Sequence, residues 1–237
     1  MCEESNGPFA HSPQCMYRSA LFYAYTACRG MIDGDQSPKA QSTARRIQEI
    51  FKQSWLDGLI LEAAEERFIN APFGTLNDFN RSEASWLIER MAVLAWALGV
   101  AELPNYYTKV DPYSVSQSLG IFGNDHSQRI AKATIRGTDE ITMRGQLYHV
   151  LAWRLSEFRG DRKTIDLKAK LTAEDSPHLI VDGIYFIDND LAVNERALGA
   201  LSDVAFDQAA ALVHYRYKEF RWLFGYEREE STISALN

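Results

Sequence analysis

Ser82–Pro104 reads SEASWLIERMAVLAWALGVAELP, and this stretch decides the fold class. Trp86, Leu87, Ile88, Met91, Val93, Leu94, Trp96 and Leu98 fall on all sides of a helix rather than along one stripe. A helix that is apolar all round belongs at the centre of a bundle, because it has no face suited to water. Ser82 is the expected N-cap, and Gly99 and Pro104 end the run. Glu89 and Arg90 lie inside it. Charges are seldom buried alone, so both need a rim, a partner or a ligand.

Toward the N-terminus, APFGTLNDFN (Ala71–Asn80) has the Pro, Gly and Asn content of a connecting loop. Before it, Ile47, Ile50, Phe51, Trp55, Leu59 and Ala63 continue an apolar stripe that starts near Ser37 or Ser42 and is divided at Gly58. Leu21, Phe22, Tyr25 and Cys28 mark one buried face of a helix beginning at Cys15. Residues 1–14 read as a flexible arm.

Toward the C-terminus, Tyr106 to Ala133 is mixed. Thr138 is the expected N-cap of a helix buried through Ile141, Leu147, Tyr148, Leu151, Leu155 and Phe158 and ending near Gly160. Ile165, Leu167, Ala169 and Leu171 then alternate with polar residues, as in a half-buried strand. Leu179–Val181, Asp182-Gly183 and Ile184–Ile187 form a hairpin signal, and Leu191–Val193 would add a strand. Asp188-Asn189-Asp190 lacks the register of a calcium loop and reads as a polar turn. A last helix runs from Ser202–Asp203 to Phe224. The expected fold is α+β, mainly α: a helical bundle-like domain with a small antiparallel β hairpin element before the C-terminal helix. It is read as one domain over 15–226, with the β element at 164–198 and a tail at 227–237.

Composition excludes more function classes than it specifies. The 237 residues are 46% apolar and carry net charge −7, with −4 up to Ser118 and −3 beyond it. Neither half is basic, so general nucleic-acid binding or attachment to an anionic membrane is not expected. The longest uncharged apolar runs, Ser19–Cys28 and Met91–Ala101, are shorter than the roughly 20 residues that span a bilayer. Cys2, Cys15 and Cys28 make no CxxC, and they read as ordinary helix cysteines plus a tail cysteine in a cytoplasmic protein.

Catalytic signatures were sought by spacing. The histidines His11, His126, His149, His178 and His214 form neither HxH nor HExxH, so no metal site is expected. The chain holds no GxxxxGK[ST], no GxGxxG and no GxSxG, which leaves phosphate cradles and serine nucleophiles without a signature and calls for no cofactor. Cys28 has Arg29 beside it, which would favour a thiolate, but its place on an apolar face makes it structural.

What stands out is charge among aromatics. Arg216 and Arg221 lie in VHYRYKEFRWLFGY with Trp222, and an arginine among aromatics can stack and make forked hydrogen bonds. The plainer reading is a Glu89–Arg216 bridge pinning two helices. The candidate ligand-binding residues are Glu89, Arg90, His149, Arg216 and Trp222, with no catalytic residue and no metal ligand assigned.

Four stretches carry a resemblance. WLIERMAVLAWALGVAELP (Trp86–Pro104) resembles the signature of the family catalogued as domain of unknown function 4272, and RSALFYAYTACRG (Arg18–Gly30) resembles its early helix. DGIYFIDNDLAVNERALGALSD (Asp182–Asp203) is similar to its short β segment and VHYRYKEFRWLFGY (Val213–Tyr226) to its closing helix. The last helix keeps Arg216 and Trp222 but departs at Tyr215, Phe220 and the tail EREESTISALN, and the middle helix has Ala152-Trp153 in place of a His-Trp pair. The resemblance implies a fold and no activity.

The functional expectation is a cytoplasmic, non-catalytic interaction or accessory protein, an antidote-type partner being one form. Another protein is the expected partner, a homo-oligomer is open, and membrane and nucleic acid are not expected. The competing reading is a small-molecule binder or enzyme with the five candidates around a polar pocket between helices.

Overall fold

The computed structural model describes residues 9–52, 59, 63–121, 123, 125–172 and 183–226, except the side chains of 63, 64 and 67. The chain divides into two compact units. Unit 1 takes Met1–Leu103, Val110–Ile135 and Arg221–Asn237, and unit 2 takes Pro104–Lys109 and Arg136–Phe220. The expected continuation of a stripe through Trp55, the break at Gly58 and the hairpin strand at Leu179–Val181 lie outside the described residues.

Unit 1 is helical. α1 (Pro13–Ile32) starts with Pro13 just inside the cap Ser12, whose side chain accepts the Cys15 amide. It is buried on almost every side, more fully than the single face of its sequence pattern suggests. α2 (Pro38–Ile50) repeats the device with Ser37 as cap, and α3 spans Ala63–Asn70. α4 (Asp78–Ala97) is the apolar helix of the opening stretch, and Leu87–Leu98 is buried without interruption. It begins a turn before the expected Ser82, because the Asn77 side chain accepts the Asn80 amide at 2.8 Å. α5 (Pro112–Ser118) and α6 (His126–Ala131) are two shorter helices of the unit.

α1 and α4 are the main packed pair of unit 1, and Gly30 permits their approach. A Cβ there would stand 2.7 Å from Ala84 Cβ and 2.8 Å from the Arg81 carbonyl oxygen. Arg29, next to Gly30, and Asp33, about one helical turn on, both buried, fasten the loop before α4. Arg29 donates to the carbonyls of Phe68, Ile69, Ala71 and Pro72, and Asp33 accepts the amides of Gly74 and Leu76 at 3.1 and 2.9 Å. Burial pushes the Arg29 guanidinium below its ordinary pKa, and Asp33 at 3.5 Å works against that shift.

Cys28 is a free, partly buried thiol whose pKa is raised by that burial, opposite to the shift a reactive cysteine needs. Cys15 is disulfide-bonded, so the expectation of ordinary thiols holds for Cys28 and not for Cys15. Bridging depends on Cβ–Cβ proximity, which sequence spacing does not reveal.

Unit 2 contains α7 (Thr138–Asp161), α8 (Leu167–Thr172), a three-stranded antiparallel sheet and α9 (Asp203–Leu223) as far as Phe220. The strands are β1 (Phe186–Ile187), β2 (Asp190–Val193) and β3 (Arg196–Ala197), with the wholly buried β2 in the middle. The pairs Ile187↔Asp190 and Val193↔Arg196 leave two-residue turns, Asp188-Asn189 and Asn194-Glu195, with positive φ at all four residues. That is the geometry of the tight hairpin turn that suits strand twist.

The strand expected from Ile165 to Leu171 is corrected: Leu167–Thr172 is helical. Leu167 and Leu171 are four apart as well as in alternation, so the run fits either period. The cap decides it, because Asp166 accepts the Ala169 amide at 2.8 Å. Among the described residues, no helix is long and apolar enough to cross a membrane.

Candidate functional site

In unit 2 the segment Pro104–Lys109 is held by side chains that reach it from the helices and the sheet. Arg216 of α9 is wholly buried. Its guanidinium donates to the carbonyls of Pro104, Asn105 and Thr108 at 3.1, 3.0 and 2.7 Å and to the Tyr148 hydroxyl of α7 at 2.9 Å. Tyr148 in turn stacks on Phe220, ring centroids 5.2 Å apart. Tyr106 donates to the Ala192 carbonyl of β2 and accepts the Tyr185 amide. Its burial raises the phenol pKa, so it stays a donor.

β2 is fixed from a second direction. Arg154 of α7 makes a forked pair with Asp190 and a further bond to the Lys163 carbonyl at 2.8 Å. Asp190 also accepts the amides of Ile165 and Leu191. Burial works to raise the Asp190 pKa, but Arg154 and the two amides outweigh it and hold the carboxyl below its ordinary value.

Between these fixed parts lies a cavity of about 250 Å³. Tyr107 and Lys109 line it from the clamped segment, and Val193, Asn194 and Arg196 from the second hairpin. Ala205, Gln208, Ala209 and Leu212 line it from one face of α9, at helical spacing. Val193, Ala209 and Leu212 are buried, whereas Lys109, Asn194, Arg196 and Gln208 are exposed. The cavity therefore has an apolar floor and a polar rim, and its described lining residues include Lys109 and Arg196 but no carboxylate. A second cavity of unit 2, about 490 Å³, has the opposite character, with Asp166, Asp188 and Asp190 but no lysine or arginine among its described lining residues. Among the described residues, no group of three His, Cys, Asp or Glu is placed to hold a metal ion.

A family model matches residues 18–174, about two thirds of the chain. The chain belongs to the family described as Domain of unknown function (DUF4272). The DUF4272 match takes in two of the stretches that carried the sequence resemblance, Arg18–Gly30 and Trp86–Pro104. Asp182–Asp203 and Val213–Tyr226 lie beyond it. So do Arg196 and the α9 wall of the cavity, while Tyr107 and Lys109 lie within it. Neither a curated protein nor a solved structure matches the chain.

The five residues singled out from sequence fall in both units. In unit 1, Glu89 is buried and accepts the Val110 amide at 3.1 Å, while Arg90 stacks over Tyr23 at 4.6 Å. Trp222 lies flat against His11, ring centroids 3.7 Å apart, beside an Ala10 amide that donates to the Leu223 carbonyl. In unit 2, exposed His149 shares a 2.8 Å hydrogen bond between its Nδ1 and the Tyr217 hydroxyl, and Arg216 clamps the 104–109 segment. None of the five lines the cavity just described.

Sequence alone does not single out the lining residues, because loop cations look alike. Lys109 and Arg196 are 87 positions apart, and only the Arg216 clamp and the register of β3 bring them to one cavity. The usable signal was Asn194-Glu195, a two-residue turn after Leu191-Ala192-Val193.

Proposed function

We propose that this protein is a non-catalytic binding or accessory protein whose partner is another polypeptide. What supports this reading most is the use made of Arg216. The residue best suited by sequence to grip a ligand directs its guanidinium to three carbonyls and a hydroxyl of its own unit. Arg29 and Arg154 are used in the same way, each fastening a loop or a strand. An antidote-type role is one form of such a function, and self-association is another.

Native mass spectrometry of the protein purified gently from its host tests the proposal. A stable complex with a polypeptide, or a discrete homo-oligomer, is the expected result. A monomer that retains a small molecule and no polypeptide overturns it.

The proposal includes a cytoplasmic location, drawn from the three cysteines, an odd number without a CxxC. The Cys15 disulfide weighs against that location, because such bonds are rare where thiols are kept reduced. Alkylation of the protein as it leaves the cell decides the point: a modified Cys15 supports the cytoplasmic location, and a protected one overturns it.

A further inference from the structure

We propose that the cavity between the 104–109 segment, the β2–β3 hairpin and α9 binds a small organic oxyanion, a carboxylate or phosphate carried on an apolar body. This goes beyond the polypeptide-partner reading and does not depend on it. The chain as a whole is acidic, at net −7, so a recess with lysine and arginine at its rim and no carboxylate among its described lining residues departs from the average surface. Glu195, next to Arg196, is not among the lining residues.

Polarity within the cavity orients the ligand. A guanidinium, here that of Arg196, presents paired donors that match two oxygens of a carboxylate or phosphate. Tyr107, Asn194 and Gln208 are neutral hydrogen-bonding groups for the same head. Val193, Ala209 and Leu212 give the body an apolar floor from which water is gained back on binding.

Size narrows the class. About 250 Å³ lies below the roughly 300–1,000 Å³ of drug-sized sites, which suits a single ring bearing one anionic group rather than a nucleotide.

The walls are set in advance. Tyr106 and the Arg216 clamp fix the backbone that carries Tyr107 and Lys109. Asn194 and Glu195 hold φ of 51° and 60° in the turn that delivers Arg196. A site held in this way loses little freedom when a ligand arrives.

Phenyl phosphate is the first probe and benzoate the second, titrated into the full chain at low salt and followed by amide NMR. We expect saturable shifts confined to residues around 107–109, 193–196 and 205–212, with a Kd of about 1 mM or tighter. R196Q, at an exposed position, should weaken binding about tenfold or more. A205W should abolish it by filling the cavity, and a thermal melt of each variant checks folding. Benzylamine, with the same ring and the opposite charge, should not bind there. Phenyl phosphate stronger than benzoate assigns a phosphate, and the reverse order a carboxylate. No shifts at about 10 mM probe overturn the proposal, as does binding that R196Q leaves intact. Inorganic phosphate binding as tightly as phenyl phosphate overturns the apolar part of the assignment. None of these failures bears on the polypeptide complex sought by native mass spectrometry.

Discussion

At the scale of single residues, the interior polar groups act as fasteners. Arg216 is the clearest case, since its guanidinium satisfies carbonyls 108 to 112 positions away in sequence. Arg216→Leu should lower stability by about 3 kcal/mol or more, since several charge-assisted bonds vanish and carbonyls lose their donor. Arg216→Lys should rescue only part of it, because an ammonium cannot reproduce the fork. Urea unfolding of the two variants checks both statements, and a Leu variant as stable as the parent would remove the clamp from the account. The Arg154–Asp190 pair follows the same logic with one difference. Asp190→Asn alone should cost about 3–5 kcal/mol by leaving Arg154 buried without its carboxylate, whereas replacing both by apolar residues should cost less. A double-mutant cycle by thermal melting measures this.

At the scale of elements, two features of backbone geometry carry predictions. α1 and α4 touch through Gly30, where an added Cβ would meet Ala84 and the Arg81 carbonyl at under 3 Å. Gly30→Ala should therefore destabilise the protein by about 1–3 kcal/mol although alanine favours helix, because overpacking exceeds the gain in propensity. Chemical denaturation gives the sign at once. The turn Asn194-Glu195 behaves in the opposite way. Glu195 holds φ of 60°, a conformation that costs an L-residue roughly 1–2 kcal/mol, so Glu195→Gly should be neutral to stabilising despite glycine's entropy. A marked loss of melting temperature would mean that the Glu195 side chain has a role of its own. The same comparison shows what sequence patterns conveyed about elements. The α4 run, α7 and α9 were legible because each repeats its apolar signal over four turns or more. α8, with six residues, had only two leucines to declare itself, and alternation counterfeited a strand.

At the scale of the whole molecule, acid should weaken the two units in separate ranges. His126 in unit 1 has its pKa lowered, chiefly by burial, and its Nε2 lies 3.2 Å from the Tyr25 hydroxyl. The unfolded chain then binds the proton more readily than the folded one. Stability is full above the ordinary histidine value near 6.5 and is lost as pH falls below it toward the folded value. Asp190 in unit 2 also has a lowered pKa, so its contribution is full above the ordinary carboxyl value and is lost as pH falls through the folded one. Melting temperature against pH should show one decline beginning near pH 6.5 and another below about pH 4. His126→Gln should flatten the first and Asp190→Asn the second. A flat profile in the variant-sensitive ranges would remove these groups from the account.

The sequence by itself determined the family, the mainly helical class, the places of the long helices and the small antiparallel element before α9. These are local properties: hydrophobic period, caps and turn residues act over a few neighbours and need no knowledge of distant chain. Only the tertiary structure decided what the charges do. Glu89, Arg90, His149, Arg216 and Trp222 were legible as residues needing partners, but nothing local says that Arg216 meets the 104–109 carbonyls or that Trp222 meets His11. The cavity with Lys109 and Arg196 at its rim was not legible at all, since exposed cations in loops differ from one another only by what the fold places opposite them. Long-range placement is a sum of many weak contacts over the whole chain, and no single stretch of sequence contains it.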